Sequence, residues 1–370
     1  MNYSELAFRW VKCERKGSMR KKVTIQDIAD ELGLSRNTVS KAINNTEGIS
    51  DSTRERILQK AVEMGYKQFS YVLAQSQAPQ TEVEAEESGY RGEIALLTTK
   101  LFSQSHFASV MMDRFHQEMA QAGYTLTIHR VDTENIVKLS LPKTLQTSRV
   151  SGLICFELFD YRYGEMLCSL GLPILFVDGP CKREGKSLPC DQLYMENTVE
   201  ITRLVRELLA RGKRRIGFLG NWEHCQSFYE RYLAFRNAMM MEGAPVEERF
   251  LLCHNKGPEM VRFLSELKSM PDVFLCANDF VAMDAMAVLR ERGIRVPDNV
   301  LFCGFDDSPE SRLLSLTTVH IHTQIMACEA ARLLLSRIQE PSLDYRTVYT
   351  ETYLIEREST LGSEKGPRAT

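Results

Sequence analysis

Between Leu32 and Asn44 the chain reads LGLSRNTVSKAIN. Arg36 and Asn37 carry side-chain types that read base edges. A guanidinium pairs with guanine O6 and N7, and a carboxamide with adenine N6 and N7. Ser35, Thr38 and Ser40 are short hydroxyls suited to phosphate oxygens, and a helix beginning at Ser35 would add its own N–H groups. At about 100° per residue, Val39, Ala42 and Ile43 fall on one side of that helix. Asn37, Ser40 and Lys41 fall on the other, and Arg36 leaves the first turn. The chemistry indicated is recognition of a DNA duplex. The same spacing also fits a small helical packing module with a solvated polar face.

Three short helices must position these residues. In TIQDIADELG, Ile25, Ile28, Ala29 and Leu32 recur at i, i+3, i+4 and i+7. Thr24 is the expected N-cap, with Asp27 three residues on as a weak capping box. Gly33 ends the helix and permits a tight turn, and Ser35 caps the next. A third helix should start at Ser50 or Asp51, bury Ile57, Leu58, Ala61 and Val62, and close at Gly65. Two helices joined by a short glycine-containing turn make a helix-turn-helix, whose second helix presents its first residues to the major groove.

The remainder is ordinary globular sequence: 370 residues, 44% hydrophobic, 26% charged, net charge −3. Any DNA-binding part is therefore local. The ten cysteines stand singly, many inside apolar runs, as expected of buried thiols in a reducing cytosol rather than a disulfide framework or zinc site. There is no signal-peptide pattern and no apolar run of the roughly 20 residues a membrane helix needs, so a cytoplasmic location without membrane partners is expected. From residue 91, the runs GEIALLT, VSGLICF, LPILFVD, RIGFLG, DVFLCAN and NVLFCGF alternate with helical stretches at 107–122, 194–211, 226–242, 279–292 and 323–339. That pattern predicts parallel sheets covered on both faces, in two Rossmann-like lobes. The expected divisions are a disordered extension at 1–20, the helix-turn-helix domain at 21–67, a linker or hinge at 68–90, the two-lobed domain at 91–361 and a disordered tail at 362–370. Met19, just before the first patterned segment, is an expected alternative start.

The segment VTIQDIADELGLSRNTVSKAINNTEGISDSTRERILQKAVEMGY closely resembles the DNA-binding headpiece of the lactose-repressor (LacI–GalR) family of bacterial transcription regulators. The resemblance continues to about residue 361 through SGLI, LPILFVD, RRIGFLG, FLCANDFVAMDAM, VPDNVLFCGFDDSP, LTTV and LIEREST. It implies a small all-α helix-turn-helix headpiece joined to an α/β two-lobed, periplasmic-binding-protein-like sensor. It further implies a homodimer on pseudo-palindromic operator DNA, most often a repressor, controlled by a small-molecule effector of the carbohydrate class, with no cofactor. Arg36, Asn37 and Lys41 match the base-reading positions. Thr24, Ser35, Thr38, Ser40, Asn44, Thr53 and Tyr66 match backbone-contacting or headpiece-positioning ones. The hinge departs from the family pattern: GY is followed by KQFSYVLAQSQ, without the usual Pro and Asn, and Gln75 falls where a wedging Leu is expected, with Leu73 close by. No leucine heptad follows residue 361, so no tetramerisation coil is expected.

The resemblance also implies an effector cleft contacted by Asp178, Arg231, Asn278 and Asp306. All but Arg231 fall at strand carboxyl ends, where such sheets place ligands. Carboxylate, amide and guanidinium groups together suit vicinal hydroxyls. Phe107, Phe156 and Trp222 are candidate walls for a sugar ring. Each has a structural alternative: Asn278 as a helix cap, Asp306 and Asp307 as turn residues, Arg231 as a surface ion pair, and Phe107 and Phe156 as core. His224–Cys225 and His320/His322 lack a third group at catalytic or metal-binding spacing, and GFLGNW lacks a dinucleotide fingerprint, so no enzyme is expected. A transport component with the same two-lobed body is the alternative function, but it gives no reason for the headpiece.

Overall fold

The computed structural model describes residues 25–43, 50, 53, 56, 57, 60, 64, 90–100, 106–182 and 185–361. Thr24, Asn44, Tyr66, the hinge positions Leu73 and Gln75, and the two terminal segments expected to be disordered lie outside the described residues. So do Leu58, Ala61, Val62 and Gly65. The chain divides into two units, Met1–Glu86 and Glu87–Thr370.

In the first unit, α1 (Ile25–Leu32) and α2 (Arg36–Ile43) are separated by Gly33, whose φ of 65° is the left-handed conformation that glycine adopts without strain. The Leu34 N–H donates back to Ala29 O at 3.0 Å and closes the turn. Ile28, Ala29, Val39, Ala42 and Ile57 form a buried core, with Ile25, Leu32, Leu34 and Met64 packed around it. Thr53, Arg56, Ile57 and Lys60 are helical. The Ser50 hydroxyl accepts from Thr53 N–H at 3.4 Å, as a cap at the start of the expected third helix does.

The second unit is built on two parallel sheets. Its first lobe contains β1 (Gly92–Thr98), α3 (His106–Gln121), β2 (Tyr124–Arg130), α4 (Thr133–Lys138), β3 (Val150–Phe156), α5 (Tyr161–Cys168), β4 (Ile174–Val177) and β5 (Asp191–Met195). The second lobe follows with α6 (Val199–Ala210), β6 (Ile216–Leu219), α7 (Gln226–Met241), β7 (Leu251–Leu252), α8 (Pro258–Glu266), β8 (Val273–Cys276), α9 (Asp279–Glu291), β9 (Leu301–Cys303), α10 (Pro309–Leu313) and β10 (Thr318–Ile321). The chain then returns through α11 (Thr323–Gln339) to β11 (Thr347–Thr350), and crosses again to β12 (Thr352–Ile355) and α12 (Glu358–Leu361). The sheet orders are β11-β5-β4-β3-β1-β2 and β7-β6-β8-β9, while β12 pairs antiparallel with β10. Three crossings, after β5, β10 and β11, therefore join the lobes.

Alternate residues of each strand enter different cores, as a sheet covered on both faces requires. Ile94, Leu96, Ile154 and Phe156 join Phe218, Val273 and Leu275 in one apolar cluster that runs through both lobes. Ala95, Leu97, Leu153 and Cys155 face a second cluster under α5. Leu219, Phe274 and Cys276 face a third under α8 and α9.

All six predicted apolar runs are strands, GEIALLT and VSGLICF over their full length and the other four with trimmed ends, and the predicted helices at 107–122, 226–242, 279–292 and 323–339 form within a residue of those bounds. The helix expected over 194–211 begins only at Val199, because Asp191–Met195 is a strand. Its polar start hid it. Asp191 is completely buried and accepts from Arg337 Nε and Nη2, both at 3.0 Å, and from Arg346 N at 2.7 Å and Nη2 at 3.1 Å. These donors hold its carboxyl below the usual range against the desolvation that would raise it. The triad fastens α11 and β11 to the first sheet. Asp191→Ala should strand Arg337 in the interior and destabilise the protein by about 3–5 kcal/mol, read as a lower urea midpoint; loss of under 1 kcal/mol would contradict this account.

Candidate nucleic-acid interface and binding cleft

Arg36, Asn37 and Lys41 are all exposed on α2, opposite the buried Val39 and Ala42. Ser35 Oγ accepts from Thr38 N–H at 3.1 Å and lies 2.8 Å from Thr38 Oγ1. Ser35 is thus the N-cap of α2, with Thr38 beside it. The first turn of α2 has no acidic residue, so the positive end of the helix dipole has no side-chain counter-charge there. Thr38 and Ser40 are half-buried, and so is Thr53.

In the second unit the carboxyl ends of both sheets converge on Arg231 of α7, which is 2% exposed. Its Nε donates to Asn197 Oδ1 at 2.9 Å, just past β5, and its Nη1 donates to Ala277 O at 2.7 Å, just past β8. Asp306, just past β9, lies 3.6 Å from Nη1. The guanidinium stands over the Phe305 ring at 3.5 Å, with Phe228 at 5.5 Å. Arg231 is therefore no surface ion pair. Asn197 is itself buried and fixed, donating to Met195 O at 2.9 Å and Glu230 Oε2 at 2.8 Å. Glu230 also accepts from Gln226 Nε2 and Tyr349 OH.

Asp178 follows β4 with φ 50°, a strained conformation for a side-chain-bearing residue. Its Oδ1 accepts from Ser227 Oγ at 2.6 Å and Ser227 N at 3.3 Å. Burial raises its pKa, opposed by Ser227 and the Arg231 charge. Asn278 is the N-cap of α9: its Oδ1 accepts from Val281 N–H at 3.0 Å. The cap uses the carbonyl oxygen and leaves the amide NH2 as a donor.

Asp306 and Asp307 have φ of 111° and 51°, and Asp306 forms an isolated bridge with His320, so the two stand in strained backbone beyond β9 rather than in a turn, and their chemistry differs. Burial pushes Asp306 to about 8, with Arg231 lowering it and Asp279, Asp178 and Glu157 raising it. Asp307 is desolvated too, but hydrogen bonds from His320, Arg312 and Arg357 hold it far below the usual carboxylate range. Asp279, fully buried, accepts from Ser308 N at 2.8 Å and Thr318 Oγ1 at 2.6 Å, and burial lifts it to about 6.

The aromatic candidates separate. Phe156 is completely buried and stacks at 5.7 Å behind the half-buried Phe107. Trp222 is half-buried, with one face covered by Tyr232 at 4.3 Å. His224, beyond β6, meets the ring of Phe159, beyond β3, edge-on at 4.6 Å, so the lobes touch there. Asn197, Ser227, Glu230 and Asp279 were not expected from sequence. Recognising β5 as a strand would have put Asn197 at a carboxyl end. Among the described residues no cluster of His, Cys, Asp and Glu could hold a metal ion, and no helix is long and apolar enough to cross a membrane.

A helix-turn-helix and a two-lobed parallel-sheet body in one chain define a DNA-binding regulator with a periplasmic-binding-protein-like sensor. Residues 24–68 match the family described as bacterial regulatory proteins, lacI family, and residues 205–360 match the periplasmic binding protein-like domain. The HTH-type transcriptional regulator CelR of Thermobifida fusca is 25% identical over 350 residues, covering 92% of this chain and 99% of its own. Among solved structures, a transcriptional regulator CelR–cellobiose complex aligns with a TM-score of 0.64 at 22% identity, over 91% of this chain and 99% of that one. The lac repressor dimer bound to operator and the anti-inducer ONPF aligns with a TM-score of 0.62 at 21% identity, over 92% and 100%. The chain belongs to the lacI family of bacterial transcription regulators. It is a DNA-binding regulator, not an enzyme.

Asp306 gives the cleft a pH signature. Its folded pKa lies above the unfolded carboxylate value, so folding takes up a proton between about pH 4 and 8. The stability this contributes is complete at the acid end of that window and is lost as pH rises through about 8. Through this carboxyl the ligand-free protein should melt lower at pH 8.5 than at pH 6. Asp306→Asn should flatten that decline in differential scanning calorimetry; an unchanged slope would contradict it.

Proposed function

We propose that the protein is a cytoplasmic, homodimeric repressor whose operator affinity is set by a carbohydrate effector bound between the lobes. What carries the reading is the joining, in one chain, of an exposed Arg36–Asn37–Lys41 face to a cleft where carboxylates, an amide and a buried guanidinium converge. In this reading Arg36, Asn37 and Lys41 read bases. Ser35, Thr38, Ser40 and Thr53, with Thr24, Asn44 and Tyr66, meet or position the phosphate backbone. Asp178, Arg231, Asn278 and Asp306 take the effector's hydroxyls, Phe107 and Trp222 line its ring, and Phe156 backs Phe107. The solved CelR relative is a complex with cellobiose, which supports the effector class. The lac repressor relative is a dimer on operator, which supports the assembly.

The proposed domain limits are 21–67 for the headpiece, 68–90 for the hinge and 91–361 for the sensor. A ligand shifts DNA affinity only by its own differential affinity for the two sensor conformations. A transport role would leave the helix-turn-helix without use.

Binding to randomised DNA tests the headpiece assignment. Lys41→Ala should cost about 1–3 kcal/mol and relax choice at one operator position, whereas Ser40→Ala should weaken all sequences alike. The reverse pattern would overturn the assignment. For the sensor, operator binding should be relieved or enhanced by a carbohydrate that the protein does not consume.

A further inference from the structure

Three of the described cysteines gather in one core of the first lobe. Cys155 of β3 and Cys190, just before β5, are buried there, and Cys168, the last residue of α5, packs against the same cluster. The segment before β5 lies directly on α5. A Cβ placed on Gly164 would stand 2.7 Å from Leu188 Cδ1, so the glycine is what lets the two approach so closely. Gly164 and Cys168 are four residues apart and share a helix face, while Cys190 is two residues past Leu188. That packing brings the Cys168 and Cys190 side chains together, and the two thiols are hydrogen-bonded.

The pair is asymmetric. Cys190 is buried, whereas Cys168 is half-buried and within reach of solvent. The Cys190 S–H donates to the Cys168 sulfur, which holds Cys168 below the usual thiol value against desolvation and the Glu165 charge. The same hydrogen bond, together with burial, pushes Cys190 up. Cys168 is thus the readier thiolate and Cys190 its protonated neighbour. Cys155, Cys225, Cys276 and Cys303 are buried, and burial pushes all four up.

We infer that Cys168 and Cys190 form a reversible oxidation site, in which Cys168 reacts with a hydroperoxide and Cys190 resolves the product to a disulfide. The Cys168 thiolate attacks one peroxide oxygen, the O–O bond breaks, and hydroxide leaves and takes up the proton that the thiol gave. The Cys190 sulfur then attacks the sulfenic sulfur; the S–O bond breaks, the oxygen leaves as water with the Cys190 proton, and the S–S bond forms. With hydrogen peroxide, two thiols lose two electrons and the peroxide becomes two waters. A dithiol restores both thiols by exchange. Disulfides in a reducing cytosol are typically transient and redox-sensing, which suits a bond that opens and closes in this way. The bond ties the end of α5 to the residue before Asp191, whose carboxylate holds Arg337 and Arg346. Oxidation is thus registered at the frame that fastens α11 and β11.

The test treats the full-length protein, reduced and then freed of reductant, with equimolar hydrogen peroxide and blocks the remaining thiols with N-ethylmaleimide in urea. Trypsin and chymotrypsin together separate Cys168 from Cys155 and from Cys181, with which it shares a tryptic peptide. A Cys168–Cys190 peptide pair should appear, about 2 Da lighter than the two thiol peptides, and should vanish after dithiothreitol. Both residues should lose free thiol about tenfold faster than Cys181 and Cys253, which are half-buried as Cys168 is. Cys190→Ser should leave Cys168 as a sulfenic acid that dimedone labels, and Cys168→Ser should keep Cys190 reduced. If either variant fails to fold, the wild-type peptide map decides. Cys168 still free once the peroxide is consumed, Cys168 linked to a different cysteine, or loss no faster than that of Cys181 and Cys253 would overturn the inference.

Discussion

A guanidinium taken out of water costs several kcal/mol unless its donors and charge are met. In this sensor that requirement falls on Arg231, and much of the cleft answers it. Asn197 comes from the end of β5, the Ala277 carbonyl from the end of β8, Asp306 from the end of β9, and the Phe305 ring from the residue before it. None of these is near Arg231 in sequence. Each is in place only if its own strand is in register. Asn197 also stands in a crossing between the lobes, tied to Glu230 and, through it, to Tyr349 at the end of β11. The group that centres the cleft is thus bonded to a segment that joins the two lobes.

The neighbouring residues Asp306 and Asp307 show how local geometry divides one chemistry into two roles. Both are desolvated and both have positive φ. Asp307 turns toward Arg312, Arg357 and His320, and its charge becomes a strut between β10 and the returning C-terminal segment. Asp306 turns toward Arg231 among other carboxylates, and its charge is only partly met. The strained backbone is held by Asp279, which accepts from Ser308 just after it and from Thr318 of β10. A cleft residue with unmet capacity is thereby supported on a fully satisfied frame.

The headpiece was legible because its determinants are local. Helical periodicity placed Ile28, Ala29, Val39, Ala42 and Ile57 inside, and Gly33 marked the turn. The apolar strands were legible for the same reason, since buried parallel strands read as continuous runs. β5 was not, because Asp191 and Gln192 break the run and are solvated by protein: Asp191 by two arginines, Gln192 by Tyr194 OH and Ser187. The cleft was legible in part. Strand ends pointed to Asp178, Asn278 and Asp306, but which carboxylate is charged depends on partners far along the chain. Asn278 is a helix cap by its oxygen, which leaves its amide nitrogen as a donor. Phe156 carries no sequence mark separating it from Phe107, and only packing sets the two apart.

The route of the chain has a consequence for synthesis. β11 (Thr347–Thr350) completes the edge of the first sheet, while β12 and α12 complete the second lobe against β10 and β9. Neither lobe has its last piece until residues beyond Thr347 have been made. A ribosome-bound chain therefore holds two unfinished lobes until translation nears this C-terminal segment. A premature stop before it would leave both lobes incomplete rather than yielding one sound half.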